Sequence, residues 1–132
     1  MTSHPNRLHQ LILDNLHTSV LLFDEQLQIL YVNHAAEMLF AMSARAMVGK
    51  HVEEIMRCES EETIHQLHTV LETGNPYTGR EIGIHTPSQR LTVDCTVVPF
   101  EEPDAPMALL VELQQIDRQI RITHEEQLIS QQ

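Results

Sequence analysis

The feature that most constrains this fold is a short strand that runs directly into a capped helix. Residues Gln28–Val32 are rich in β-branched and aromatic side chains, which favours a strand. Asn33 follows at once and can accept from free helical N–H groups, so it predicts a helix N-cap. Ser43 predicts the cap of a second short helix, and Gly49 a left-handed stop. Because about twenty residues are too few for a crossover to a parallel strand, this stretch predicts an antiparallel sheet with small helices on one face.

Four further segments predict the rest of the sheet. Leu91–Val98 alternates apolar and polar residues, which is the period of a half-buried strand. Two other segments are almost uniformly apolar, which indicates central strands that are covered on both faces. With Gln28–Val32 the sequence therefore predicts five strands, the others being Ser19–Phe23, Thr78–His85, Leu91–Val98 and Met107–Leu113.

A longer helix is predicted between the two groups of strands. Ser60 is its expected N-cap, and Gly74 is its expected stop. Its buried stripe is predicted to contain Ile64, Leu67 and Leu71. His68 lies four residues after Ile64, so it is expected on the same core-facing stripe.

Helical patterns are also predicted at both ends of the chain. Near the N-terminus, apolar residues recur on one side of a short helix, at Leu8, Leu11, Ile12 and Leu16. This helix either packs on its own sheet or pairs with a second copy of the chain, and the sequence leaves both open. From Gln115 a heptad-like seam predicts the start of a C-terminal helix. The expected division is residues 1–17 for the tail and flanking helix, 18–114 for the domain, and 115–132 for the linker helix.

The central stretch resembles a known family of sensor domains. The run YVNHAAE (Tyr31 to Glu37), followed by Leu39, Ser43 and Gly49, is similar to the core motif of PAS domains. The wider pattern resembles the N-terminal PAS domain of the NtrB class of nitrogen-regulation sensor histidine kinases. The segments that carry this second resemblance are VLLFD, starting at Val20, and LLVELQQIDRQ and EEQLISQQ near the C-terminus.

The resemblance implies a fold, a function and partners. The fold would be an α+β PAS fold, a five-stranded antiparallel sheet with short helices on one face and flanking helices at both ends. The function would be that of a regulatory and dimerisation module, which relays a signal to downstream kinase and phosphatase domains through the C-terminal helix. The implied partners are a second copy in a homodimer and, through the full-length protein, the PII signal protein and the response regulator NtrC. The residues expected to relay the signal are Leu113, Ile116, Asp117 and Ile120, and those expected at the dimer interface are Leu8, Leu11, Ile12 and Leu16.

Charge and composition exclude several classes of function. The chain has 8 basic and 19 acidic residues and a net charge of −11, which argues against nucleic-acid and anionic-membrane partners. It has neither a membrane-spanning apolar run nor a signal-peptide pattern, so a cytoplasmic location is expected. Cys58 and Cys95 are too few for a disulfide or zinc framework.

Catalytic motifs are missing from the sequence. The nine histidines include no HExxH pattern, and no metal site is predicted. His124-Glu125 imitates the phosphoacceptor box of histidine kinases, H-E-x-x-[NT]-P, but Leu128 stands where Asn or Thr is needed, and no proline follows. Glycine-rich ATP-binding boxes are also absent. The chain itself is therefore expected not to be an enzyme, whereas the full-length protein it resembles is a histidine kinase and phosphatase.

A second function remains open, that of a PAS receptor for a small molecule or haem. Some PAS domains bind haem through a histidine on the long helix, where this chain has His68. Met56 and Cys95 are expected to line the same pocket. The leading expectation is nevertheless a domain without a cofactor.

Overall fold

The computed structural model describes Ile12 and residues 17–116, which form one antiparallel sheet and four short helices. All the strand pairs are antiparallel, and the order across the sheet is β2-β1-β6-β5-β4-β3. The strands are β1 (Ser19–Phe23), β2 (Ile29–Val32), β3 (Arg57–Cys58), β4 (Tyr77–His85), β5 (Arg90–Phe100) and β6 (Ala108–Gln115). The helices are α1 (His34–Phe40), α2 (Ala44–Met47), α3 (Val52–Ile55) and α4 (Glu61–Thr73).

The sheet confirms the predicted class and corrects the predicted strand count. The two uniformly apolar strands, β1 and β6, are adjacent and internal, as their composition indicated. The prediction of five strands is wrong, because Arg57–Cys58 forms a sixth strand at the edge beside β4. The last strand also runs two residues further than predicted, so Gln115 belongs to β6 rather than to a helix. Most of the two predicted end helices lies outside the described residues.

The predicted helix caps are present. The side chain of Asn33 accepts from the N–H of Ala36, and the side chain of Ser43 accepts from the N–H of Ala46. Ser60 begins α4 by accepting from the N–H of Glu62. Gly74 ends α4 with a φ of 75°, a left-handed conformation that side chains with a Cβ disfavour.

Asn33 does more than cap a helix, because it also joins β1 to β2. Its Oδ1 atom accepts from the N–H of Val20 at 3.0 Å and from that of Ala36 at 3.0 Å. Its Nδ2 atom donates to the carbonyl oxygen of Thr18 at 2.9 Å. The residue is fully buried, so these hydrogen bonds replace the water that each group would otherwise bind.

The core lies between the helices and one face of the sheet. Alternate strand residues such as Leu21, Phe23 and Val111 point to this face and pack with Phe40 and Leu67 from the helices. The opposite face, called here the outer face, carries the intervening residues. Leu22 pairs there with Leu110, which also pairs with Val98. In the part of the chain that the structure describes, no helix is long and apolar enough to cross a membrane.

Candidate functional site

A small cavity lies inside the core, between α4 and the sheet. Met56 and Cys95, two of the three residues predicted for a ligand pocket, line it together with Cys58, and their role in binding a ligand stays a prediction. Its volume is about 10 Å³, which is room for about one water molecule. Ligand pockets usually measure roughly 300–1,000 Å³, so this core is closed around a void rather than open to a ligand. The remaining lining residues are Phe23, Thr63, Leu67, Ile82, Ile84, Val93, Val111 and Leu113.

The prediction that His68 faces the core is wrong. His68 is exposed, and the buried residues of α4 are Thr63, Leu67 and Val70. The stripe is therefore centred about one residue earlier than the apolar pattern indicated, and Ile64 is only half-buried. With its imidazole in solvent and a cavity of about 10 Å³ beneath the helix, the pocket does not fit a haem held by His68.

The two thiols at the cavity are held in their neutral form. Burial, with a smaller contribution from the nearby Cys58, raises the pKa of Cys95 from 9.0 to about 12. Burial also raises the pKa of Cys58, with a smaller contribution from Glu53. Because the thiolate is the reactive species, both residues act at neutral pH as apolar packing groups and not as nucleophiles.

The end of β6 connects the cavity to the rest of the chain. Leu113 is 3% exposed and lines the cavity. Three residues later, the N–H of Ile116 donates to the carbonyl oxygen of Thr92 on β5 at 2.8 Å. Asp117 and Ile120, the other two predicted relay residues, lie outside the described residues. Leu113 is therefore a core residue and Ile116 is bonded to the neighbouring strand, and their role in a relay stays a prediction.

The residues predicted for a dimer interface are described only in part. Ile12 is 52% exposed, which makes it one of the five large apolar side chains that the described part of the chain leaves in solvent. Leu8, Leu11 and Leu16 lie outside the described residues. Dimerisation therefore stays a prediction.

A charged cluster that sequence reasoning missed ties the edge strand to the β4–β5 hairpin. The carboxylate of Glu59, just after β3, forms an ion pair with Arg90 of β5. The Nε2 atom of His85 lies 3.5 Å from the same carboxylate. The hydrogen bond from Arg90 is the largest cause of a lowered pKa at Glu59. Glu59 is far in sequence from His85 and Arg90, and the pairing of β3 with β4 brings it to them.

Metal binding gains no support from the described residues. Within residues 17–116, no group of three or more His, Cys, Asp or Glu side chains is arranged to hold a metal ion. His51 instead has a structural role: its Nδ1 atom accepts from the N–H of Glu53, while Glu54 accepts from the N–H of His51. Together they form a capping box at the start of α3.

Comparison with known proteins identifies the family. Residues 7–116 match the PAS fold, and the chain belongs to the PAS family. The resemblance of the YVNHAAE run to the PAS core motif is therefore confirmed.

Relatives within this family are sensor kinases of the NtrB type. The chain is 32% identical over 114 residues to the sensory histidine kinase/phosphatase NtrB of Vibrio alginolyticus, covering 86% of this chain and 32% of that protein. It is 31% identical over 115 residues to the protein of the same name from Escherichia coli O157:H7, covering 87% of this chain and 32% of that protein. The chain thus spans about a third of the length of these relatives.

A solved structure shows the same relationship. The crystal structure of the PAS domain of nitrogen regulation protein NR(II) from Vibrio parahaemolyticus superposes with a TM-score of 0.72 at 28% identity. The superposition covers 83% of this chain and 98% of that one. The chain is therefore a PAS domain related to those of NtrB-type sensor kinases, and no kinase domain is evident in its sequence.

Proposed function

We propose that this chain is the sensory and dimerisation module of a nitrogen-regulation sensor histidine kinase. The observation that carries the proposal is its similarity to NtrB over 86% of the chain, combined with a central strand that leads out of the core. The chain would not catalyse a reaction itself. It would instead change the activity of kinase and phosphatase domains in the whole protein.

The path of the signal would run along β6. This strand is bonded on one side to β1 and on the other to β5, and Val111 and Leu113 form part of the cavity wall. A change in core packing therefore reaches the strand directly. Because the N–H of Ile116 is fixed to Thr92, such a change would alter the angle at which the chain leaves the sheet. A small change at this exit could bias a two-state helical bundle downstream.

The relay is tested by removing the hydrogen bond at the strand exit. Residues of this chain would replace the PAS domain of the Vibrio alginolyticus NtrB, and the chimera would carry Ile116→Pro, which removes the N–H that bonds to Thr92. We expect the ratio of autokinase to phosphatase activity to change about fivefold or more. Ile116→Val keeps the N–H and is the matched control, for which we expect no change. Equal ratios in all three chimeras would contradict the proposal.

The homodimer is a separate part of the proposal. Ile12 exposes an apolar side chain, and Leu8, Leu11 and Leu16 share its helical periodicity in the sequence. We expect the double variant Leu11→Glu with Ile12→Glu to halve the mass measured by light scattering. Met38→Glu is a suitable control because Met38 is 70% exposed on α1, far from this segment in the sequence. An unchanged mass in the double variant would remove the N-terminal helix from the interface.

The partners proposed for the whole protein rest on the same similarity to NtrB. In it, phosphate would pass from the kinase to the response regulator NtrC, and the PII protein would report nitrogen status. The protein would act in the cytoplasm. Phosphotransfer to purified NtrC, with and without PII, is compared between the chimera and the unmodified Vibrio alginolyticus NtrB, and a response to PII that is present in the unmodified kinase but lost in the chimera would contradict this part.

A further inference from the structure

A second concave site lies on the outer face, at the end of the sheet away from the strand exit. It is an open groove of about 750 Å³, called here the outer groove. Its apolar floor is formed by Leu22, Leu30, Phe100 and Met107. The groove is separate from the core cavity, because its floor is on the opposite side of the sheet from Phe23 and Val111. Nothing in the proposed relay uses it.

Two residues of the floor leave much of their apolar side chains exposed. Leu30 is 49% exposed and Phe100 is 44% exposed. These are two of the five large apolar residues that the described part of the chain leaves in solvent, and both line one groove. A concave, exposed apolar site of this kind is a common feature of protein interaction surfaces.

The rim of the groove is acidic. Asp24, Glu25 and Glu102 line it, and its lining includes neither Lys nor Arg. Glu101 and Asp104 lie in the same loop between β5 and β6 and add to the negative charge. In a chain with a net charge of −11, this rim attracts a cationic partner. It would repel both an anionic membrane and the same groove of a second copy.

The shape of the groove favours a helix as the occupant. The floor crosses four neighbouring strands, from Leu30 on β2 to Phe100 on β5. At about 4.8 Å between strands, this width is about 14 Å. A helix rises about 1.5 Å per residue, so nine or ten residues, or between two and three turns, span the floor. Apolar side chains at positions i, i+4 and i+7 of such a helix would all point into it.

We propose that the outer groove binds a cationic amphipathic helix of a partner protein. The apolar side chains of that helix contact Leu22, Leu30 and Phe100, and its Lys or Arg side chains pair with Glu25 and Glu102. The burial of the apolar face of the helix supplies the affinity. The acidic rim favours a positively charged helix and increases its association rate. This role is independent of the relay through β6.

The test uses the full 132-residue chain and a synthetic helix of defined composition. The probe is a peptide of Leu and Lys with the Leu residues on one helical face, and the control peptide has the same composition in scrambled order. Binding is measured by calorimetry at several salt concentrations. We expect the amphipathic peptide to bind at least about tenfold more tightly than the scrambled one, because only the former can bury a continuous apolar face. Equal binding of the two peptides would overturn the proposal, since charge alone would then explain it.

Two pairs of variants locate the site. Phe100→Ala is expected to weaken binding about tenfold, whereas Met38→Ala, which removes a 70%-exposed side chain outside the groove, should leave it unchanged. Glu25→Lys is expected to weaken binding and to reduce its salt dependence, whereas Glu72→Lys on α4 is its matched charge control. If each variant equals its control, the peptide binds elsewhere and the proposal is wrong.

Two other occupants would also contradict the proposal. If Phe100→Ala lowers the mass of the protein in light scattering, the groove is covered by a second copy. If vesicles that contain phosphatidylglycerol bind the chain, and Phe100→Ala abolishes that binding, the groove meets a membrane. A mass that is unchanged and an absence of vesicle binding, together with the peptide result, support a helical protein partner.

Discussion

Replacing Asn33 with alanine is expected to destabilise this domain far more than the loss of an ordinary helix cap. The substitution removes the cap of α1, which costs roughly 0.5–2 kcal/mol. It also leaves the N–H of Val20 buried without its acceptor, which costs roughly a further 1–3 kcal/mol. The two contributions together give about 3 kcal/mol, without counting the lost hydrogen bond to Thr18.

Urea unfolding followed by circular dichroism measures this cost. With an m-value of about 1.5 kcal/mol/M, a loss of about 3 kcal/mol lowers the midpoint by about 2 M. The matched control is Ser43→Ala, which removes an exposed cap of the same kind from α2 and should lower the midpoint by only about 0.3–0.7 M, for a cost of about 0.5–1 kcal/mol. If Asn33→Ala and Ser43→Ala lower the midpoint equally at the same m-value, the argument that Asn33 joins β1 to β2 energetically is refuted.

Three other perturbations have defined outcomes. Because the pKa of Cys95 is raised from 9.0 to about 12 in the folded state, the free energy of unfolding decreases as the pH rises from 9 towards 12. The decrease is about 1.4 kcal/mol at pH 10, and Cys95→Val should remove that part of the alkaline slope in urea midpoints. Gly74→Ala should cost about 1 kcal/mol in the same assay because Gly74 has a φ of 75°, and Gly74→Asn should cost less; equal losses would contradict the left-handed cap. Since pairing with Arg90 lowers the pKa of Glu59 below its usual 4.5, the stabilisation from this carboxylate is present at neutral pH and is lost as the pH falls through the lowered pKa, so Glu59→Gln should be less stable than the parent at pH 7 and the difference should shrink as the pH falls below 4.5.

Local signals account for most of what the sequence predicted correctly. Asn33, Ser43, Ser60 and Gly74 each act on backbone groups within a few residues, so their roles are readable without the fold. The same is true of the apolar run Ser19–Phe23, whose predicted bounds are those of β1. The PAS motif supplied the rest of the architecture.

The features that the sequence missed depend on contacts between distant segments. β3 has only two residues, which is too few for a period, and it exists because it pairs with Ile84 and His85 of β4. The phase of α4 was misjudged because the sheet accepts Thr63 as a buried residue while it leaves the more apolar Ile64 half-exposed. The cap at His51 was missed because histidine is not among the usual N-cap residues.

The adjacency of β1 and β6 has a mechanical consequence. Ser19, the first residue of β1, lies opposite Leu113 near the end of β6, so the chain enters and leaves the sheet at the same end on neighbouring strands. A pulling force applied to these two ends would load the hydrogen bonds between the strands one after another and not all at once. Such a domain unfolds at low force. In a longer polypeptide it would unfold before neighbouring domains whose terminal strands must slide past each other, because there all the hydrogen bonds between the strands must break together.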